Sequence, residues 1–221
     1  MPRRTVTILC AIAALLAAQA ARGHRGAHPG TRVVTTGPPR ADAASGVGTY
    51  TFDPSVSAIN RQAFLGVLAH VRPEAARLYA RVAALVTVVD GDTGNPGALA
   101  ITIPGRRGYT IRFQFGKVFA ELGQRGLNRV VEHELAHVVD FALLTDPLRA
   151  QLDAGIPAGV PCTGSNGPTG ACAPREERFA ESFAKWASGD IGVNLYGGYA
   201  VPPPPDLQAW GAPLAALAAK G

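Results

Sequence analysis

The chain has 221 residues, enough for one domain with a substantial core, and 47% of them are hydrophobic, as in a globular protein. Its formal charge of +5 falls to +3 once Arg3 and Arg4 are set aside, and the remaining basic residues are scattered along the chain. No basic stripe forms, which argues against nucleic acid as a partner.

In chain order, Arg3 and Arg4, an apolar run from Val6 to Ala18 and the small-x-small triplet Ala18-Gln19-Ala20 have the layout of a secretory signal, residues 1–20. The run is shorter than the roughly 20 apolar residues a membrane span needs, and no comparable run follows, so no stable membrane span is expected. The expected product is secreted after cleavage near Ala20, by either the general or the twin-arginine route. Residues 21–48 are rich in Gly, Pro, Ala and Arg without periodicity and are expected to be a flexible leader. His24 and His28 fall there four apart, but without a helix that spacing positions nothing.

A single domain is expected over residues 49–221. The pattern Val56, Ile59, Phe64, Leu65, Leu68 predicts a helix within Asp53 to Val71, and Pro73-Glu74 starts a second. Strands are predicted over Ala84 to Val89, Ala98 to Ile103 and Tyr109 to Phe115, separated by Gly- and Pro-containing turns. A buried helix follows over Asn128 to Phe141, then a short helix near Asp146 to Leu152, a helix from about Pro174 to Ala187, and a last apolar segment after Pro202 to Pro205. The fold class expected from this order is α+β, with a small twisted mixed sheet packed beside the buried helix and a mostly helical C-terminal part.

The buried helix carries His133-Glu134-Leu135-Ala136-His137, a His-Glu-x-x-His motif. At about 100° per residue, positions four apart lie about 40° apart, so both imidazoles leave one face about one turn apart. Two metal ligands are supplied that way, and a catalytic zinc is the expected ion. Glu134 stands at the edge of the same face, where its carboxylate can take a proton from a water without ligating the metal; it is the candidate general base. Five His and seven Glu in the chain give a chance expectation of the pattern on the order of a few per thousand. Val131, Leu135, Val138, Val139 and Leu143 cover most of the remaining circumference, so the histidines are buried and need partners.

A catalytic zinc usually has three protein ligands and one open position. The metzincin extension, a Gly three and a His six residues after the second histidine, is absent, since Asp140 and Leu143 stand there. Asp140 lies one turn beyond His137, where it can either ligate or support a ligand from outside the metal shell. The stronger candidate lies in Arg175-Glu176-Glu177-Arg178-Phe179-Ala180-Glu181-Ser182-Phe183-Ala184-Lys185-Trp186. Glu177 and Glu181 share one helical face there, whereas Phe179, Phe183 and Trp186 gather on the opposite side and Glu176 points elsewhere. Small Ala180 and Ala184 allow another helix to approach closely.

Together, His133-Glu134-x-x-His137-x-x-Asp140 and Glu177-x-Phe179-Ala180-Glu181-x-Phe183 resemble the gluzincin branch of zinc metallopeptidases, most specifically the anthrax lethal factor catalytic domain family. The resemblance covers about a quarter of the chain, with the motifs in the right order. It implies that His133, His137 and Glu177 bind one zinc ion, that Glu134 is the base, and that Glu181 orients a ligand histidine from behind. The family also carries a tyrosine shortly before the third ligand. That region here has none, leaving Tyr196, Tyr199 and Tyr109 as candidates for stabilising an oxyanion.

Removal of Cys10 with the signal leaves Cys162 and Cys172, expected to form a disulfide across a loop rich in turn formers. The function expected is a secreted zinc metallopeptidase acting on a peptide or protein substrate as a monomer. The competing expectations are a zinc amidase acting on cell-wall peptides and a non-catalytic exported zinc-binding protein.

Overall fold

The computed structural model describes residues 48–95, 97–157, 173–191 and 201–220. The expected signal, residues 21–47 of the leader, Cys162, Cys172, Tyr196 and Tyr199 lie outside the described residues. The fold is α+β, with six helices and one four-stranded mixed sheet among them.

Strand β1 (Thr51–Phe52) leads into helix α1 (Ala58–Leu68). The helix begins later than the apolar pattern alone suggests. Asp53 binds the Ser55 amide at 2.9 Å in a local turn, and Ser57 then caps the helix by accepting from the Asn60 amide at 3.1 Å. Strand β1 has no counterpart among the predicted strands: two residues are too few to show an alternation. Helix α2 (Pro73–Ala83) starts at its proline, and its Leu78, Tyr79 and Val82 are buried.

Strands β2 (Val86–Asp90), β3 (Ala100–Pro104) and β4 (Tyr109–Phe113) follow within two residues of their expected bounds. The sheet order is β1-β2-β4-β3. β1, β2 and β4 run parallel, while β3 returns antiparallel to β4, with Ala100 opposite Phe113 and Pro104 opposite Tyr109. Their short hairpin leaves β3 on the sheet edge. Phe64, Leu78, Tyr79, Val88, Ile111, Phe113, Val131 and Leu135 belong to one continuous core linking the sheet and helices.

Helix α3 (Phe115–Leu143) is the central element, packed against α1, α2, β3, β4 and, most extensively, α5. It extends the expected helix toward its N-terminus and kinks at Gly123, whose φ of 64° and ψ of −166° are outside helical geometry. A side chain is disfavoured at that positive φ, so glycine lets the chain redirect before the motif turns. Helix α4 (Asp146–Gly155) precedes α5 (Arg175–Ser188), and α6 (Leu207–Ala218) closes the chain. The aromatic side of α5 is buried as expected. A Cβ at Gly211 would stand 1.8 Å from Trp186 Nε1, so glycine is what allows α6 to lie directly on that ring. No helix among the described residues is long and apolar enough to cross a membrane.

Candidate metal centre

The motif turn of α3 and the first turn of α5 bring His133, His137 and Glu177 together as a buried group able to hold a metal ion. One ligand atom from each lies within 4.8 Å of the others. His133 Nε2 is 2.9 Å from Glu177 Oε2, and His137 Nε2 is 3.5 Å from the same oxygen. The two rings are 4.9 Å apart and nearly perpendicular, as one helical turn between them permits. Glu176, next to Glu177 but about 100° away around the helix, is only partly buried and stands outside the group.

Carboxylates determine the charge of the site. Burial by itself would lower the His133 pKa, but the hydrogen bonds its ring donates to the Glu177 and Glu181 carboxylates outweigh it and push the group up to about 10. Burial would raise Glu177 in turn, yet the neighbouring His137 and His133 hold its carboxyl well below the usual carboxylate range. The cluster therefore favours positive charge between its imidazoles and carboxylate. A cation with oxygen and nitrogen preference suits that donor set.

Glu134 is fully buried on the same turn. Its Oε2 accepts a 2.7 Å hydrogen bond from the Thr102 hydroxyl, which also reaches the Glu134 carbonyl at 3.2 Å. Oε1 has no hydrogen-bond partner among the described residues. Desolvation raises the Glu134 pKa, which makes the carboxylate a stronger base than a solvated one. Thr102 belongs to edge strand β3 and thus ties that strand to the candidate base. Nothing in the spacing singled it out; only its place in a predicted strand before the motif could have directed attention to it.

Behind His133, Glu181 Oε2 lies 3.5 Å from Nδ1, the ring nitrogen opposite the one facing Glu177. Arg129 Nη1 at 3.5 Å and Lys185 Nζ at 3.4 Å face Glu181 Oε1. All three charged side chains are buried. Burial would raise the Glu181 carboxyl, but the hydrogen bond with His133 first, and then the charges of Arg129 and Lys185, hold it below its ordinary value, and the carboxylate in turn fixes the ring of His133. Arg129 and Lys185 were not legible as site residues, because a lone cation on a helix is ordinarily solvated. Tyr79, also missed, donates its hydroxyl to the Glu132 carbonyl at 3.1 Å, anchoring the turn before His133.

Asp140 is not among the grouped ligands. Its fully buried carboxylate is engaged by Arg149 from α4, at 2.9 Å, and by Arg175 from α5. Tyr109 stacks on Phe141 at 6.2 Å, and Phe141 stacks on His137 at 5.9 Å, so Tyr109 is linked to the site through the Phe141 ring. The chain matches no protein-family model, no curated protein and no solved structure.

Proposed function

We propose that this protein is a zinc-dependent metallopeptidase of gluzincin type, exported after removal of its N-terminal signal. One observation carries the reading: beside a buried His, His, Glu donor set drawn from α3 and α5, the motif turn of α3 holds a carboxylate, Glu134, whose Oε1 has no hydrogen-bond partner among the described residues. Two neutral imidazoles and one carboxylate fit zinc and leave a net positive centre. His133, His137 and Glu177 would hold the ion, which when bound supplies a Lewis acid that polarises a carbonyl and makes water acidic enough to attack it.

The remaining chemistry belongs to the chain. Thr102 occupies Glu134 Oε2 and so leaves Oε1 as the oxygen that would take a proton from an attacking water and return it to the leaving amine. Glu181 holds His133 through Nδ1, leaving Nε2 for the ion. Strand β3 pairs with β4 on one side only among the described residues, and Thr102 places it beside the base. An extended peptide adding to that free edge would be held by backbone bonds, which favours peptides as substrates.

Hydrolysis of a denatured protein by the purified mature chain should disappear after chelation and return with added zinc. Cleavage of cell-wall peptide fragments alone would shift the substrate to wall amides. Zinc binding with no hydrolysis of either would identify an exported zinc-binding protein.

A further inference from the structure

Asp140 is buried completely, and its partners come from two other helices. Arg149 of α4 donates from Nε to Oδ1 at 2.9 Å, and from Nη2 to the Asp140 carbonyl at 2.9 Å and the Leu144 carbonyl at 3.3 Å, satisfying the end of α3. Arg175, the first residue of α5, meets both Asp140 oxygens, with Nη2 at 3.1 Å from Oδ1 and Nη1 bonded to Oδ2. Its Nε also bonds Asp153 of α4 at 2.7 Å. The guanidinium fork is thus fixed in direction by two carboxylates on two helices.

Position on the helices gives this network its consequence. Asp140 is one turn beyond His137 on α3, and Arg175 lies two residues, about 3 Å along the axis, before Glu177 on α5. The tie therefore joins the turn that carries one imidazole to the turn that carries the third donor. Glu181 and His133 make a second tie farther along the same pair of helices. Two separated ties fix both the distance and the rotation of α5 against α3, which a single tie would leave free.

We propose that Asp140 and Arg175 form a clamp that sets where Glu177 stands relative to His133 and His137, making both of them positioning residues of the metal centre. The proposal rests on reading those three residues as metal ligands. Arg149 shares the same carboxylate but has no hold on α5, so its loss should affect stability without moving Glu177.

The test compares Arg175→Ala with Arg149→Ala in the full mature chain, using zinc titration well below unfolding and amide hydrogen exchange across residues 175–183. Arg175→Ala should weaken zinc binding about 10- to 100-fold, the usual effect of losing a partner that orients a ligand, and should speed exchange at the start of α5. Arg149→Ala should stay near the parent in both readouts. Unchanged zinc affinity in Arg175→Ala, or equal losses in the two variants, would overturn the clamp. If Arg175→Ala does not fold, Arg175→Lys, which keeps the charge but loses the fork, faces the same comparison. A parent chain that binds no zinc would instead overturn the metal reading, and exchange alone would then decide whether Arg175 holds α5.

Discussion

Glu134→Gln should keep the fold and the zinc and lose nearly all hydrolysis. The amide has almost the shape of the carboxylate, and its oxygen can still accept the Thr102 hydroxyl that binds Oε2 at 2.7 Å. What it cannot do is take a proton from water at neutral pH. A positioned general base contributes about 10²- to 10⁴-fold to rate, and a loss of that size in kcat with metal content unchanged is the expected result. Burial strengthens the expectation, because Glu134 is fully buried and no exposed acid can replace it from solvent. Hydrolysis at the parent rate would remove Glu134 from the mechanism.

The adjacent acids at the start of α5 should separate just as clearly. Glu177→Ala removes the carboxylate that lies 2.9 Å from His133 Nε2 and 3.5 Å from His137 Nε2, so zinc affinity should fall by more than about 100-fold, the upper end of what an outer partner costs. Glu176→Ala alters a partly exposed side chain outside the group, and a change within about twofold is expected, as for surface substitutions generally. Glu181→Ala should fall between them, since Glu181 acts on the metal only through His133 Nδ1. Zinc titration of the three variants reads this order directly. Weaker binding by Glu176→Ala than by Glu177→Ala would reverse the assignment of the third donor.

What the sequence disclosed about the site was its periodic part. Histidines four apart on an apolar helix must share a face, and Glu177 with Glu181 likewise, so the helices bring together residues whose spacing already placed them on matching sides. The strands β2, β3 and β4 and the start of α2 were legible for a similar reason, through alternation and a proline at a helix start. Residues that act across elements were not. Thr102 meets Glu134 only because the β3–β4 hairpin leaves β3 on the sheet edge beside α3, and no local pattern encodes that placement. Arg129 and Lys185 are buried where α3 packs on α5 around Glu181, and each also reaches a backbone carbonyl outside those helices, that of Asp190 for Arg129 and of Val201 for Lys185. Asp140 stands one turn beyond His137 by helix spacing alone, but its arginine partners depend on how α4 and α5 return to the end of α3. Strand β1 is recognisable only through its pairing with β2.

Native mass spectrometry of the purified mature chain, loaded with equimolar zinc, tests the central claim most directly. The account predicts one zinc ion per chain for the parent and for Glu134→Gln, and none retained by Glu177→Ala. A folded parent chain that carries no zinc under those conditions, or a Glu177→Ala variant that carries as much as the parent, would contradict it.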